Sequence, residues 1–369
     1  MEVYDLSKAA VGDELQSPLQ FDDTKYTPLD KFVELVKELP DKPAHVPMSK
    51  LAINGKVSKD SFEKYLAADG ESSSALKEML KTPMHYYYSK EVIFEPKNTS
   101  HFDLGTFAHQ AFLEPSKFDK VVKEPAENLS TREGVARTIQ WYWGLLNRQP
   151  DCILSELKIN QLRDKLHELK EDSSGYTILP EEYQTIIKAI QLSYNTYGGG
   201  ILSKLMKYVK SEVSMYGVDP RTGLKVKIRP DGMILEENLK TNIVLSFKTT
   251  SANTIGAYIR DCAKFKYELA EGMYLDVASQ ITGREFTGTL MVVLQTCIPF
   301  QIFLLYWDAE DLEVGKYKYY QAMDQVRECV EKKWYPGFDV KAEQGNFGII
   351  QLKLPDYIKY EVEPATVES

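Results

Sequence analysis

The chain has 369 residues, of which 43% are hydrophobic and 27% charged, with a formal net charge of −9. Those proportions are ordinary for a folded globular protein and exclude a mainly disordered or fibrous chain. The length allows two or three domains, or one large domain with insertions. The acidic balance argues against wholesale coating of nucleic acid, but it leaves room for a local basic groove or a metal site that meets phosphate.

The longest apolar runs, such as LMVVL at 290–294 and IFLLY at 302–306, fall far short of the ~20 residues of a membrane span. The opening MEVYDLSKAAVGDEL is polar, without the charged-then-apolar pattern of a secretory signal. The expectation is an intracellular protein without a membrane partner. Cys152, Cys262, Cys297 and Cys329 show no zinc-ligand spacing and are too few for a disulfide framework; free, buried thiols are expected.

Residues 1–70 carry little periodicity and read as an irregular N-terminal extension with one short helix near 28–39 and a turn-rich breaker at 41–47. From Ser72 the pattern turns helical: capping serines precede Leu76, Met79 and Leu80, and Thr82-Pro83 ends the run. A second helix is expected from Asp103, with Leu104, Phe107, Ala108, Ala111 and Phe112 at helical steps. The stretch 130–210 reads as a helical insertion of three amphipathic segments, closed by a glycine hinge at 198–200. Trp141, Tyr142 and Trp143 read as helix-core aromatics rather than a base-stacking platform.

At 211 the character switches to strands. SEVSMYGV, GLKVKIRPDGMIL and NIVLSFKTT predict a three-stranded meander. One long helix is then expected over TIGAYIRDCAKFKYELAEGMYLDVASQ, followed by strands TGTLMVVLQT and FQIFLLYWD, a helix over about 309–334 and a last strand within 345–354. The order describes a mixed α/β sheet with helices on its faces. The expected boundaries are 1–70 for the extension, 71–355 for the domain and 356–369 for a polar tail.

The most informative segment is IRPDG at 228–232 followed by LSFKTT at 245–250. Alternate residues of a strand share a face, so Ser246 and Lys248 point the same way, and a hairpin would set Asp231 opposite them. A carboxylate for a divalent ion beside a lysine that steadies a water and the developing phosphate charge is the arrangement of a metal-dependent phosphodiesterase. On these residues alone, a turn aspartate and a solvated edge lysine are the favoured reading.

The segments SSSALKEMLKTPMHYYY (72–88), DLGTFAHQAFLEPSKFDKVV (103–122), TGLKVKIRPDGMI (222–234), LSFKTT (245–250) and KFKYELAEGMYLDV (264–277) occur in this order. Together they resemble the phage and prophage exonuclease VIII (RecE-type) proteins, in the RecB-like branch of the PD-(D/E)XK nuclease superfamily. The resemblance covers about 72–335. It implies a nuclease-like mixed sheet flanked by helices, a Mg²⁺- or Mn²⁺-dependent DNA exonuclease acting on duplex ends, and a bacterial cytoplasmic setting. It also implies a single-strand annealing protein as a partner and a homo-oligomer.

The resemblance assigns His109 as a metal ligand beside Asp231, with the Phe247 carbonyl as a further ligand and Lys248 and Tyr274 at the active site. The other histidines, His45, His85, His101 and His167, match no ligand position. Two departures stand out: the family's second acid, two residues before the lysine, is here Ser246, and the family's helix glutamine is here Ala270. A serine hydroxyl is a weak Mg²⁺ ligand, so a carboxylate must come from elsewhere. Asp261, Glu268 and Glu271 lie on the following helix. Glu271 shares a face with Tyr267 and Tyr274 and is the expected replacement, with Glu268 next and Glu212 third. Arg229, Arg260, Lys264 and Lys266 are candidates to contact DNA phosphates, with a solvated face as the equal alternative. The alternative is a nuclease-fold protein that no longer cuts and serves as a DNA-binding or protein-interaction module.

Overall fold

The computed structural model describes residues 22–91, 121–179, 181–342 and 345–354. In chain order the helices and strands are α1 Leu29–Lys37, β1 Lys56–Ser58, α2 Phe62–Ala67, α3 Ser73–Met79, α4 Pro83–Glu91, β2 Val121–Lys123, α5 Arg132–Leu145, α6 Ile159–Asp172, β3 Thr177–Leu179, α7 Glu181–Thr196 and α8 Ile201–Met206. Then come β4 Lys210–Ser211, β5 Ser214–Val218, β6 Lys225–Ile228, β7 Gly232–Ile234, α9 Glu236–Leu239, β8 Asn242–Thr250, α10 Ile255–Lys264, α11 Tyr267–Thr282, β9 Phe286–Gln295, β10 Ile302–Tyr306 and α12 Ala309–Lys332. The helix expected from Asp103, and His109 with it, lies outside the described residues.

The central sheet runs β10-β9-β8-β7-β4. Strand β8 lies at its middle, antiparallel to β7 and parallel to β9. Such a strand is covered on both sides, and β8 is buried along nearly all its length. Ile243, Leu245 and Phe247 face one core, with Phe32 and Leu35 of α1, Ile190 of α7, and Leu202 and Leu205 of α8. Val244 faces the other core, with Leu269, Met273 and Val277 of α11, Leu76 and Met79 of α3, and Tyr319 and Met323 of α12. By strand parity Ser246 and Lys248 share the Val244 face, as the alternation predicts. Helices α5 and α6 form a hairpin with a core of its own, where Tyr142 and Trp143 are buried.

Several expectations need correction. The predicted meander is divided between two sheets: β5 and β6 pair in a small sheet β1-β5-β6, while β7 and β8 pair in the large one. The chain changes sheet at Arg229–Asp231, where Pro230 lacks a ladder donor. The long helix expected over 254–280 is two helices, α10 and α11, because Lys266 adopts a left-handed conformation at φ 51°. No strand forms within the described residues 345–354. Residues 22–70 are drawn into the domain: α1 packs on the sheet and β1 pairs with β5.

Helix starts follow their caps. Ser72 accepts from the Ala75 amide, Thr254 from Ala257 and Asp308 from Glu310, each satisfying an orphan first-turn donor. The hinge glycines 198–200 all have positive φ and divide α7 from α8. All four cysteines are free; Cys262 and Cys329 are buried, and Cys152 and Cys297 half-buried. Among the described residues no helix is long and apolar enough to cross a membrane.

Candidate active site

The change of sheet places Asp231 beside the middle of β8. The Phe247 amide donates to Asp231 Oδ2 at 2.6 Å. Lys248 Nζ stands 3.6 Å from the same oxygen and donates to the Phe247 carbonyl at 3.2 Å. One carboxylate, one strand carbonyl and one ammonium thus meet at a single point of the chain. The Asp231 side chain is 21% exposed and that of Lys248 25%, so the pair opens to solvent without being surrounded by it.

Behind this pair, Ser246 is fully buried and its Oγ lies 2.7 and 2.8 Å from the two oxygens of Glu271. A hydroxyl carries one hydrogen, so it donates to one of them at a time. Glu271 is 0% exposed. Burial pushes its carboxyl above the ordinary glutamate range and the Asp231 charge adds to this; Lys248, the Ser246 hydroxyl and Lys77 pull the other way. For Lys248, burial disfavours the charge, but Asp231 and Glu271 outweigh it and hold the ammonium protonated. Tyr274 lies within the field of both acids; burial first, then those charges, raise its phenol.

Helix α11 brings Glu271 here because α12 crosses it at two facing glycines. A Cβ on Gly315 would overlap the Glu268 carbonyl, and one on Gly272 would overlap the backbone of Gly315 and Lys316. The close crossing also settles Glu268, which pairs with Lys318 of α12 at 2.6 Å. Glu212 lies on the other side of Asp231: its amide donates to the Asp231 carbonyl at 3.0 Å and its carboxylate pairs with Arg229 at 3.2 Å.

The expected DNA contacts divide. Arg260 and Lys264 of α10 are exposed, and Lys266 is half-buried at the break before α11. Arg229, only 10% exposed, turns inward and donates to the Asp60 carbonyl, Ser214 Oγ and Glu212. His109 lies outside the described residues. Of the remaining histidines, His85 is bonded to Thr82, at 2.7 Å from its Nδ1, and lies edge-on to Phe338. Asp231, Phe247, Lys248, Glu271 and Tyr274 are brought together.

Sequence reading missed one member. Lys77 of α3 projects to this place; its ammonium is 4.8 Å from the ring centroid of Tyr267, on which Lys248 Nζ also sits at 5.8 Å. Burial, with the Lys248 charge beside it, pushes Lys77 down to about 8. Its only sequence signal is its place between Leu76 and Glu78 on an otherwise amphipathic turn, which does not distinguish it from a surface lysine.

Among the described residues no three His, Cys, Asp or Glu side chains form a ready cage for a metal. The donors present nevertheless suit a hard divalent ion, being two carboxylates and a backbone carbonyl, all oxygen. The repulsion between Asp231 and Glu271 is the electrostatic counterpart of that fit, since a cation between them removes it.

A mixed sheet whose central strand carries a lysine, with an acid at the preceding turn and a second acid supplied from the following helix, defines a PD-(D/E)XK nuclease-type domain. The chain belongs to the family described as a PDDEXK-like domain of unknown function, DUF3799, whose model matches residues 72–344. Among solved structures it is similar to one named "Putative exonuclease" from Eubacterium rectale, at 11% identity and a TM-score of 0.46, covering 82% of this chain and 98% of that one. It is also similar to a protein named SSO0001, at 13% identity and a TM-score of 0.22, covering 64% and 89% respectively. No curated protein matches the chain.

Proposed function

We propose that this protein is a Mg²⁺- or Mn²⁺-dependent DNA exonuclease that hydrolyses phosphodiesters from duplex ends, in phage-type recombination or DNA processing. The observation that carries this reading is the double approach of Ser246 Oγ to the Glu271 carboxylate. It sets a helix acid against the strand position where the superfamily's second acid stands, so the charge absent from β8 is returned by α11.

Asp231, Glu271 and the Phe247 carbonyl would hold the ion, with His109 as the remaining ligand implied by the resemblance. When bound, such an ion polarises the phosphodiester and lowers the pKa of its water. Lys248 orients the attacking water and meets the charge that develops on the phosphate oxygens. Its proton is secured for that work by the two acids beside it. Tyr274 walls the inner side of the site, and Arg260, Lys264 and Lys266 approach the strand backbone from α10 and its end. Duplex DNA ends are the proposed substrate; a single-strand annealing protein and further copies of the chain are proposed partners.

The test is degradation of linear and covalently closed circular duplex in Mg²⁺, Mn²⁺ or EDTA, with Lys248→Ala as the control. Loss of linear duplex alone, dependent on metal and on Lys248, is expected. A parent protein that binds ends but cuts nothing in either metal would favour the non-cutting module.

A further inference from the structure

We propose that Lys77 is a phosphate-contacting residue of this site, holding a backbone phosphodiester of the bound strand across the Tyr267 ring from Lys248. The inference rests on the nuclease reading and extends it to a residue from a different part of the fold.

Lysines that are taken out of water for structural reasons spend their hydrogens. Lys227 donates to the carbonyls of Tyr65, Leu66 and Ala68, and Lys210 to that of Val46. Lys77 is half-buried, yet among the described residues its ammonium makes no hydrogen bond and no ion pair, only the contact with the Tyr267 ring. A desolvated ammonium without acceptors is costly, and a methionine of similar length would pack there at lower cost. The arrangement makes sense when an anion arrives from outside.

The site specifies which anion. Lys77 and Lys248 sit over one ring, and Lys248 already answers to Asp231 and Glu271. Those two acids repel a carboxylate ligand, whereas a phosphodiester reaches the site with its own metal counter-charge and offers non-bridging oxygens to both ammonium groups. The basicity of Lys77 is depressed in keeping with this geometry, since burial first and then the Lys248 charge weigh on it more than Glu271 and Glu268 relieve it. Phosphate binding returns the missing counter-charge. Placement on α3 also gives that helix a function: it is short, capped by Ser72 and packed on α11 through Leu76 and Met79, so the lysine is presented from a fixed base.

The experiment measures binding of a short linear duplex by fluorescence anisotropy, with Ca²⁺ replacing Mg²⁺ to suppress cutting, for the parent, Lys77→Met and Lys77→Arg. Lys77→Met should bind about tenfold more weakly, with a salt dependence shallower by about one phosphate contact, regardless of sequence. Lys77→Arg should recover most of the affinity, and Lys77→Met should melt no lower than the parent. Duplexes carrying one neutral methylphosphonate in turn along the strand then locate the contact. At one position the neutral linkage should weaken the parent but not Lys77→Met. Equal affinity and salt slope for parent and Lys77→Met, or a Lys77→Met deficit that persists at every methylphosphonate position, overturns the proposal while the nuclease reading stands. A parent that neither binds nor cuts duplex removes both.

Discussion

The Ser246 hydroxyl on the central strand lies within 2.8 Å of both carboxylate oxygens of Glu271 on the helix above it, and neither residue is exposed to solvent. A serine at this strand position has no charge to offer a metal, and among the described residues the buried Glu271 shares the Lys248 cation with Asp231. Each is explained by the other, with Lys248 and Asp231 completing the group.

The first expectation is therefore that Glu271→Gln abolishes cleavage, by about 100-fold or more, while duplex binding in Ca²⁺ is retained. Glutamine preserves the shape and still accepts from Ser246, so the loss isolates the charge. Adding Ser246→Asp to this variant should recover part of the activity, because a carboxylate then returns to the strand. Cleavage by Glu271→Gln at the parental rate would sink the migrated-acid idea.

Glu268→Gln should behave in the opposite way. Its partner is Lys318, 36% exposed across the α11–α12 interface, and solvent screening limits the ion pair to about 1 kcal/mol. Urea denaturation should show that modest loss, with cleavage largely kept. A selective loss of cleavage instead would move the second acid from Glu271 to Glu268.

Glu271 also sets a pH dependence in metal-free protein. Its folded carboxyl titrates above its ordinary value of 4.5, so the folded state keeps a proton that the unfolded chain has released. Stability tied to this group is present below the unfolded value and is lost as pH rises through the folded one. Melting temperatures in EDTA over roughly pH 4 to 8 should show Glu271→Gln gaining on the parent as pH rises. A constant difference across that range would mean the buried carboxylate is not under strain from Asp231 and burial.

The glycine crossing yields a prediction about distance. Gly315→Ala places a Cβ against the Glu268 carbonyl and must push α12 from α11. Overpacking of this kind costs about 1–3 kcal/mol, read by urea denaturation. Cleavage should fall as well, although the added Cβ meets the backbone of Glu268 and Leu269 first, because α11 carries Glu271. Unchanged stability would show that the two helices separate without cost.

Lys248→Met should lose cleavage by about 100-fold or more and should also leave Asp231 and Glu271 without their shared cation. In metal-free protein the Glu271 carboxyl should then titrate higher still, which carboxyl NMR or infrared spectroscopy would detect. A Glu271 titration that does not respond to loss of Lys248 would place the two groups further apart electrostatically than the structure does.

Much of this site was legible in the sequence, for local reasons. Strand alternation alone put Ser246 and Lys248 on one face, and the change at Asp231 marked where a strand ends. The ordered segments from Ser72 to Val277 identified the PD-(D/E)XK-like class without coordinates, and the family model supports that class rather than the RecE type in particular. Some errors were also local. A left-handed lysine breaks the helix at 266 where the sequence offers neither glycine nor proline, and the Arg229–Asp231 corner parts two sheets where period-2 patterning reads one meander.

What the sequence by itself determined, then, was that Ser246 and Lys248 share one face of β8 near Asp231, and that the next carboxylates in the chain lie on the helical stretch after it. It ranked Glu271 before Glu268 only through the helix face shared with Tyr267 and Tyr274, and residues three apart on a helix are neighbours on its surface. The tertiary structure separates their positions, because the Gly272–Gly315 crossing fixes how α11 is rolled over the sheet, turning Glu268 toward Lys318 and Glu271 toward Ser246. The same long-range packing brings Lys77 to the acids from a helix 169 residues before Ser246 in the chain. Periodicity records which side of an element is apolar, whereas the depth and rotation of one element against another are set by side chains that the local pattern does not contain.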